Sequence, residues 1–343
     1  MAKRGLRNLI TDVAGLRVGN AEDANARTGV TVLLFDAPAP AVADIRGGAP
    51  GTRDVEGLNP VSLVDGVDAI AMSGGSAFGN DAVSGVQAWL KAKGRGFEIR
   101  PGAPRVPIVP GAILFDLANG GDKNWGDEPP YRALGRRAVE NASDDFTLGN
   151  AGAGLGAVAG AYKGGLGTAS AVTDNEFTVG ALVAVNSVGS PLIPGTHIFW
   201  ASPFEQGGEF GNCGLREPLS LDLGLPSDIK GGVRAGQNTT IGIVATDAAL
   251  TRVELMRIAI MATDGFAHAL RPAHTPFDGD LLFAVSTGKR SIGEPRQFEV
   301  MQLGCLAAGC VARAIARGVY EAQSIGELKS YRDMFRRDEH GQA

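Results

Sequence analysis

Glycine constrains this chain more than any other residue type. Fifty of its 343 residues are glycine, about twice the usual frequency of roughly 7%. They gather in RGGAPGTR (46–53), SGGSAFG (73–79), GNAGAGLGAVAG (149–160) and KGGLG (163–167). There is no three-residue period, which excludes a collagen-like fibre. The chain is 44% hydrophobic and 20% charged, so the clusters predict tight loops around a pocket or closely apposed layers rather than disorder.

The elements between the clusters are short apolar runs and amphipathic segments. Strands are expected at 29–35, 67–72, 168–172, 181–185, 241–245 and 280–287, and helices at 77–93, 131–142, 251–270 and 302–323. In the third helix, Thr251 and Glu254 form a capping box, and Val253, Met256, Ile260, Ala267 and Leu270 are expected on one apolar face. Residues 106–115 are apolar, but two inner prolines demote them to an edge strand or an extended loop. The polar tail from 332 to 343 is expected to fray. No linker or repeat divides the chain, so one α/β domain with layered sheets is the economical reading.

Net charge is −5 with acids and bases interspersed, which argues against a nucleic-acid partner. Cys213, Cys305 and Cys310 form neither a disulfide framework nor a metal-binding pattern, and are expected to be small buried hydrophobes. The four histidines show no ligand spacing, so neither metal nor organic cofactor is expected. The absence of a leader or an 18-residue apolar run makes the cytoplasm the expected compartment, with no membrane partner.

Three motifs can carry chemistry. SGGSAFG fails as a nucleophile elbow, because two residues separate Ser76 from Gly79; Ser76 is expected near a helix N-cap. A triad using His268 or His274 is weakly suggested. Asp278 and Asp280 flank Gly279 at the mouth of a strand, where they are either a turn or a carboxylate pair. Asn238, Thr239 and Thr240 open the strand 241–245. They are either a bend or a self-cleavage site, in which a threonine hydroxyl attacks the carbonyl before it and the new N-terminal amine serves as base.

RGGAPGTR, SGGSAFG, GNAGAGLGAVAG with KGGLGTAS, GQNTTIGIVATDA (236–248) and HTPFDGD (274–280) together resemble the L-aminopeptidase/D-esterase family. That family includes β-peptidyl aminopeptidases and the nylon-oligomer endohydrolase. The blocks run in family order over nearly the whole chain. The resemblance implies a four-layer αββα sandwich, similar to N-terminal-nucleophile hydrolases but differently connected. It also implies one autocatalytic cut between Asn238 and Thr239, giving an α chain (1–238) and a β chain (239–343) that stay associated. Thr239 would be the nucleophile, Asn186 would bind the oxyanion, and Asp278 and Asp280 would orient and tune the nucleophile. Some members use a lysine after the AGAG glycines, for which Lys163 is the nearest match. Several place a tyrosine near the site, where this chain has Phe115.

The implied activity is hydrolysis of small peptides or amino-acid amides through an acyl-enzyme, by an assembly of αβ protomers, commonly a tetramer. The alternatives are a 6-aminohexanoate-oligomer hydrolase, an acyltransferase similar to the ornithine acetyltransferases, or an uncleaved small-molecule-binding protein.

Overall fold

The computed structural model describes residues 2–214, 224–231 and 238–335. The segment 232–237 leading into Asn238 and most of the expected frayed tail (336–343) lie outside the described residues. In chain order the strands are β1 (Lys3–Arg4), β2 (Leu16–Asp23), β3 (Thr28–Ala39), β4 (Ala41–Ile45), β5 (Thr52–Arg53), β6 (Val67–Ser73), β7 (Gly111–Ile113), β8 (Val158–Ala159), β9 (Tyr162–Lys163), β10 (Gly165–Val172), β11 (Thr178–Asn186), β12 (Thr239–Ala248) and β13 (Leu281–Arg290). The helices are α1 (Asp81–Ala92), α2 (Tyr131–Glu140), α3 (Arg252–Ala267), α4 (Arg296–Tyr320) and α5 (Tyr331–Phe335).

Among the described residues two sheets account for most of the strands. One has the order β1-β10-β11-β12-β13-β4, the other β2-β3-β6-β7-β5. Strand alternation sorts the side chains into three apolar layers. Leu33, Phe35, Ile70 and Met72 of the second sheet meet Leu182, Ala184, Ile241, Ile243 and Phe283 of the first, forming the centre of the molecule. The opposite face of the second sheet (Val30, Val32, Ala69, Ala71) is covered by Val83, Val86 and Leu90 of α1 and Leu134 and Ala138 of α2. The opposite face of the first sheet (Val183, Val244, Leu282) is covered by α3 and α4. The architecture is therefore helix, sheet, sheet, helix: the αββα sandwich that the glycine-rich motifs imply.

The expected strands and helices are present, most of them longer than their apolar runs. Residues 106–115 differ from expectation. Pro107 and Pro110 lie outside the ladder, and β7 is an interior strand, parallel to β6 and antiparallel to β5. The segment 77–93 is divided into a 3-10 turn (Ser76–Asn80) and α1, with Gly75 and not Ser76 at the cap of the turn.

The capping box of α3 is formed as expected, but of the expected apolar face only Leu270, just past the helix end, is buried. Val253 is 72% exposed, and the buried side is Leu255, Ile258, Ala259, Ala262 and Phe266. The larger residues Val253, Met256 and Ile260 instead line a shallow groove beside Val300 and Met301. The buried side is the one that α4 approaches most nearly: a Cβ on Gly265 would lie 2.4 Å from the Ala308 carbonyl oxygen. Helix α4 is long and apolar enough to cross a membrane by length and composition alone; here its apolar side (Leu303, Ala307, Val311, Ile315) is core. Only Cys310 of the three cysteines is buried. Cys305 is exposed and Cys213 half-buried, so the expectation of three buried thiols holds for one.

Candidate active site

Three strand ends meet at Thr239. Strand β11 runs antiparallel to β12 with Asn186 opposite Thr239, so the two side chains share one face of the sheet. Thr239 lies in phase with Ile241 and Ile243, which places it on the face between the two sheets. Strand β13 runs parallel to β12 on its other side, and the pairing continues past the strand ends as a bridge between Asn238 and Asp278. The turn 278–280 thus lies directly beside the Asn238–Thr239 bond.

The carbonyl of Asn238 is held by two donors. Thr239 Oγ1 donates to it at 2.6 Å, and the backbone N–H of Gly279 donates to it at 2.7 Å. Gly279 admits no side chain, because a Cβ there would stand 2.5 Å from Thr239 Oγ1 and 2.7 Å from the Ala49 carbonyl oxygen. The first glycine motif accounts for the other side of this turn: the N–H groups of Arg46 and Gly47 donate to the Asp280 carbonyl, and that of Ala49 donates to the Asp278 carbonyl. Thr239 is 2% exposed. Both amide atoms of Asn238 and the hydroxyl of Thr240 are buried without a hydrogen-bond partner among the described residues.

Asp278 and Asp280 both belong to the turn that precedes β13. Asp278 accepts from the N–H of Val188 (3.1 Å) and from the N–H and hydroxyl of Thr275 (3.0 and 2.5 Å). Asp280 accepts from the N–H of Thr240 (2.8 Å) and the N–H of His274 (3.0 Å), and its Oδ2 lies 3.0 Å from His274 Nδ1. Burial, followed by the like charge of Asp280, raises the Asp278 carboxyl above the usual carboxylate range. His274 therefore bonds to a site carboxylate, a role that its weak triad signal did not reveal. His268 lies at the end of α3, stacked on Phe204.

Asn186 is 1% exposed. Its Oδ1 accepts from the N–H of Val158 (3.0 Å) and from Lys230 Nζ (3.2 Å), while its Nδ2 donates to the Phe115 carbonyl (3.2 Å). Phe115, Ala118, Asn119, Gly156, Val158, Asn186 and Lys230 line a cleft of about 220 Å³. Phe115 contributes its ring to the wall and its carbonyl to Asn186, and puts no phenol there.

Thr239, Asn186, Asp278 and Asp280 are thus brought together. Lys163, on β9, makes no hydrogen bond to these four among the described residues. It is buried, and its ammonium donates to the carbonyls of Gly154 (2.9 Å) and Gly164 (2.7 Å). Burial lowers its pKa to about 7 against the opposing pull of Asp116. The lysine bonded to a site residue is Lys230, half-buried and lowered to about 7 by desolvation against the opposing charge of Asp278. The sequence gives no signal for it: PSDIKGG reads as a polar loop. No cluster of three or more metal-ligating side chains occurs among the described residues.

Solved structures share this architecture. A Burkholderia sp. beta-aminopeptidase aligns with a TM-score of 0.69 over 96% of this chain and 91% of that one, at 24% identity. The L-aminopeptidase D-Ala-esterase/amidase from Ochrobactrum anthropi, described as a variant of the Ntn-hydrolase fold, aligns with a TM-score of 0.66 over 95% and 90%, at 20% identity. The fold is that of the Ntn-type αββα hydrolases. Sequence relatives make the class specific. A protein of Mycobacterium tuberculosis (strain ATCC 25618 / H37Rv) named as an uncharacterized aminopeptidase is 41% identical over 96% of this chain and 98% of its own. The 6-aminohexanoate-oligomer endohydrolase of Kocuria sp. (strain KY2) is 30% identical over 82% and 76%. Residues 8–332 match the model of Peptidase family S58. The chain belongs to that family, and it is a peptide or amide hydrolase.

Proposed function

We propose that the chain cuts itself between Asn238 and Thr239 and then works as an N-terminal-threonine aminopeptidase on small peptides or amino-acid amides. The observation that carries this is the position of Thr239 Oγ1, 2.6 Å from the oxygen of the carbonyl it would attack, with the Gly279 N–H on that same oxygen. In the first step Oγ1 bonds to the Asn238 carbonyl carbon, the C–N bond breaks, and the hydroxyl proton ends on the Thr239 nitrogen. Water then hydrolyses the ester, leaving a carboxylate on Asn238 and a free hydroxyl and amine on Thr239. Cleavage would free Asn238, whose buried amide has no hydrogen-bond partner among the described residues; an unpaired buried polar group costs about 1–3 kcal/mol.

In turnover, the Thr239 amine takes the hydroxyl proton and passes it to the leaving amine, since a free α-amine titrates near pH 8. The second N–H of Asn186 faces the developing oxyanion. Asp280 holds the Thr240 N–H just after the nucleophile, and Asp278, held by Val188 and Thr275, lies beside the scissile bond, where the two carboxylates orient and tune Thr239 and its amine. Lys163 supports the site at one remove, tying the 154–164 loop beneath the cleft. The α and β chains remain joined through the β11–β12 ladder, in one αββα domain that assembles as a homo-oligomer, a tetramer of αβ protomers, in the cytoplasm.

The test is a panel of amino-acid p-nitroanilides and amides given to wild type and Thr239→Ala. Turnover by wild type with acyl mass trapped on the 239–343 fragment supports the reading. Equal turnover by the alanine variant contradicts it.

A further inference from the structure

Lys230 is bonded to the group that would bind the oxyanion, and its loop is held in place independently of the bond to be cut. Its backbone N–H donates to the Val188 carbonyl at 2.9 Å, and the Asp228 carbonyl two residues earlier accepts from Ala161 at 3.0 Å. The Asp228 carboxylate accepts from the hydroxyls of Ser190 (2.5 Å) and Tyr162 (3.3 Å). Val188 in turn donates to Asp278. The end of β11, the Lys230 loop and the acidic turn therefore form one hydrogen-bonded cluster.

An ammonium has three donors and no acceptor, so it meets only the oxygen end of a carboxamide. The Val158 N–H makes the same demand on Asn186 Oδ1. Both donors lie on the oxygen side; on the nitrogen side one N–H goes to Phe115, and the other has no acceptor among the described residues. The backbone contacts fix which way the amide points. In its protonated form the lysine adds a charge-assisted bond, roughly twice as strong as a neutral one. That bond draws electron density toward Oδ1 and makes the opposite N–H a better donor.

We propose that Lys230 is a positioning residue that acts through Asn186, holding and polarising its amide so that the free N–H stabilises the oxyanion in turnover. This rests on Thr239 as nucleophile and Asn186 as oxyanion donor.

The test is kcat of processed protein on an amino-acid p-nitroanilide. Lys230→Met lowers kcat about ten- to hundredfold with KM within about threefold, and Lys230→Arg restores it to within about threefold of wild type. The double variant Lys230→Met/Asn186→Ala is no slower than Asn186→Ala alone, because the lysine has nothing left to act on. Should the methionine variant misfold, Lys230→Gln replaces it, with the same loss expected. Turnover by the folded Met or Gln variant at the wild-type rate overturns the proposal, as does a double variant slower by the product of the two single losses. A wild type that neither cleaves nor hydrolyses any p-nitroanilide overturns the assignment of Thr239 and this proposal with it. A wild type that does both beside an unimpaired Lys230→Met overturns this proposal alone.

Discussion

The N–H of Gly279 points at the carbonyl oxygen of Asn238 from 2.7 Å away. Asn238 is the last residue before the threonine, so the turn between two carboxylates polarises the one carbonyl that Thr239 can reach without leaving its strand. Gly279→Ala would place a methyl against Thr239 Oγ1 and the Ala49 carbonyl. It is expected to slow self-cleavage at least about a hundredfold and to cost about 1–3 kcal/mol of stability. A gel time course and thermal melts measure both.

Asn186 should separate folding from chemistry. Asn186→Ala removes an N–H aimed at the oxyanion, a loss that elsewhere costs about a hundred- to a thousandfold in kcat. The same variant is expected to fold, since its neighbours Ala184 and Val185 secure β11 in the core. Steady-state kinetics on processed protein, with circular dichroism as control, check it.

Lys163 should show itself in the pH dependence of stability. Its pKa falls from 10.5 to about 7 on burial, so between those values the unfolded chain binds the proton that the folded chain has lost. Folding is therefore least favoured below pH 7, and recovers as pH rises toward 10.5. Relative to Lys163→Met, wild type is expected to gain a few kcal/mol between pH 6.5 and about 10, at ~1.4 kcal/mol per pKa unit. Paired melts across that range measure the slope; a constant difference contradicts the assignment.

The two sides of α3 give a contrast. Ile258→Ala is expected to cost about 2–5 kcal/mol, being a large-to-small change in the core. Val253→Ala, on the groove side, is expected to stay within about 0.5 kcal/mol. Denaturant melts distinguish them.

The strands around the site were legible because branched apolar runs such as IGIV in β12 have few other ways to be buried. The polar run opening β12 marked the place without choosing the residue; the resemblance of the motifs singled out Thr239. The burial of α3 was not: large apolar residues stand on both sides of it, Val253 and Ile260 on one and Leu255, Ile258 and Phe266 on the other, and the approach of α4 at Gly265 decides which side is buried. Lys230 and His274 were hidden for a related reason. Their partners, Asn186 and Asp280, are set by how strand ends and loops come together, and no local pattern around PSDIKGG or RPAHTP encodes that meeting. Lys163 was singled out by its place after a glycine motif, and two of its three N–H groups go to glycine carbonyls of that region.

The most direct measurement is the intact mass and N-terminal sequence of the active, purified protein. Two associated polypeptides ending at Asn238 and beginning at Thr239, and a Thr239→Ala chain that stays whole, are the predicted result. A fully active preparation made of a single unbroken chain would contradict the account.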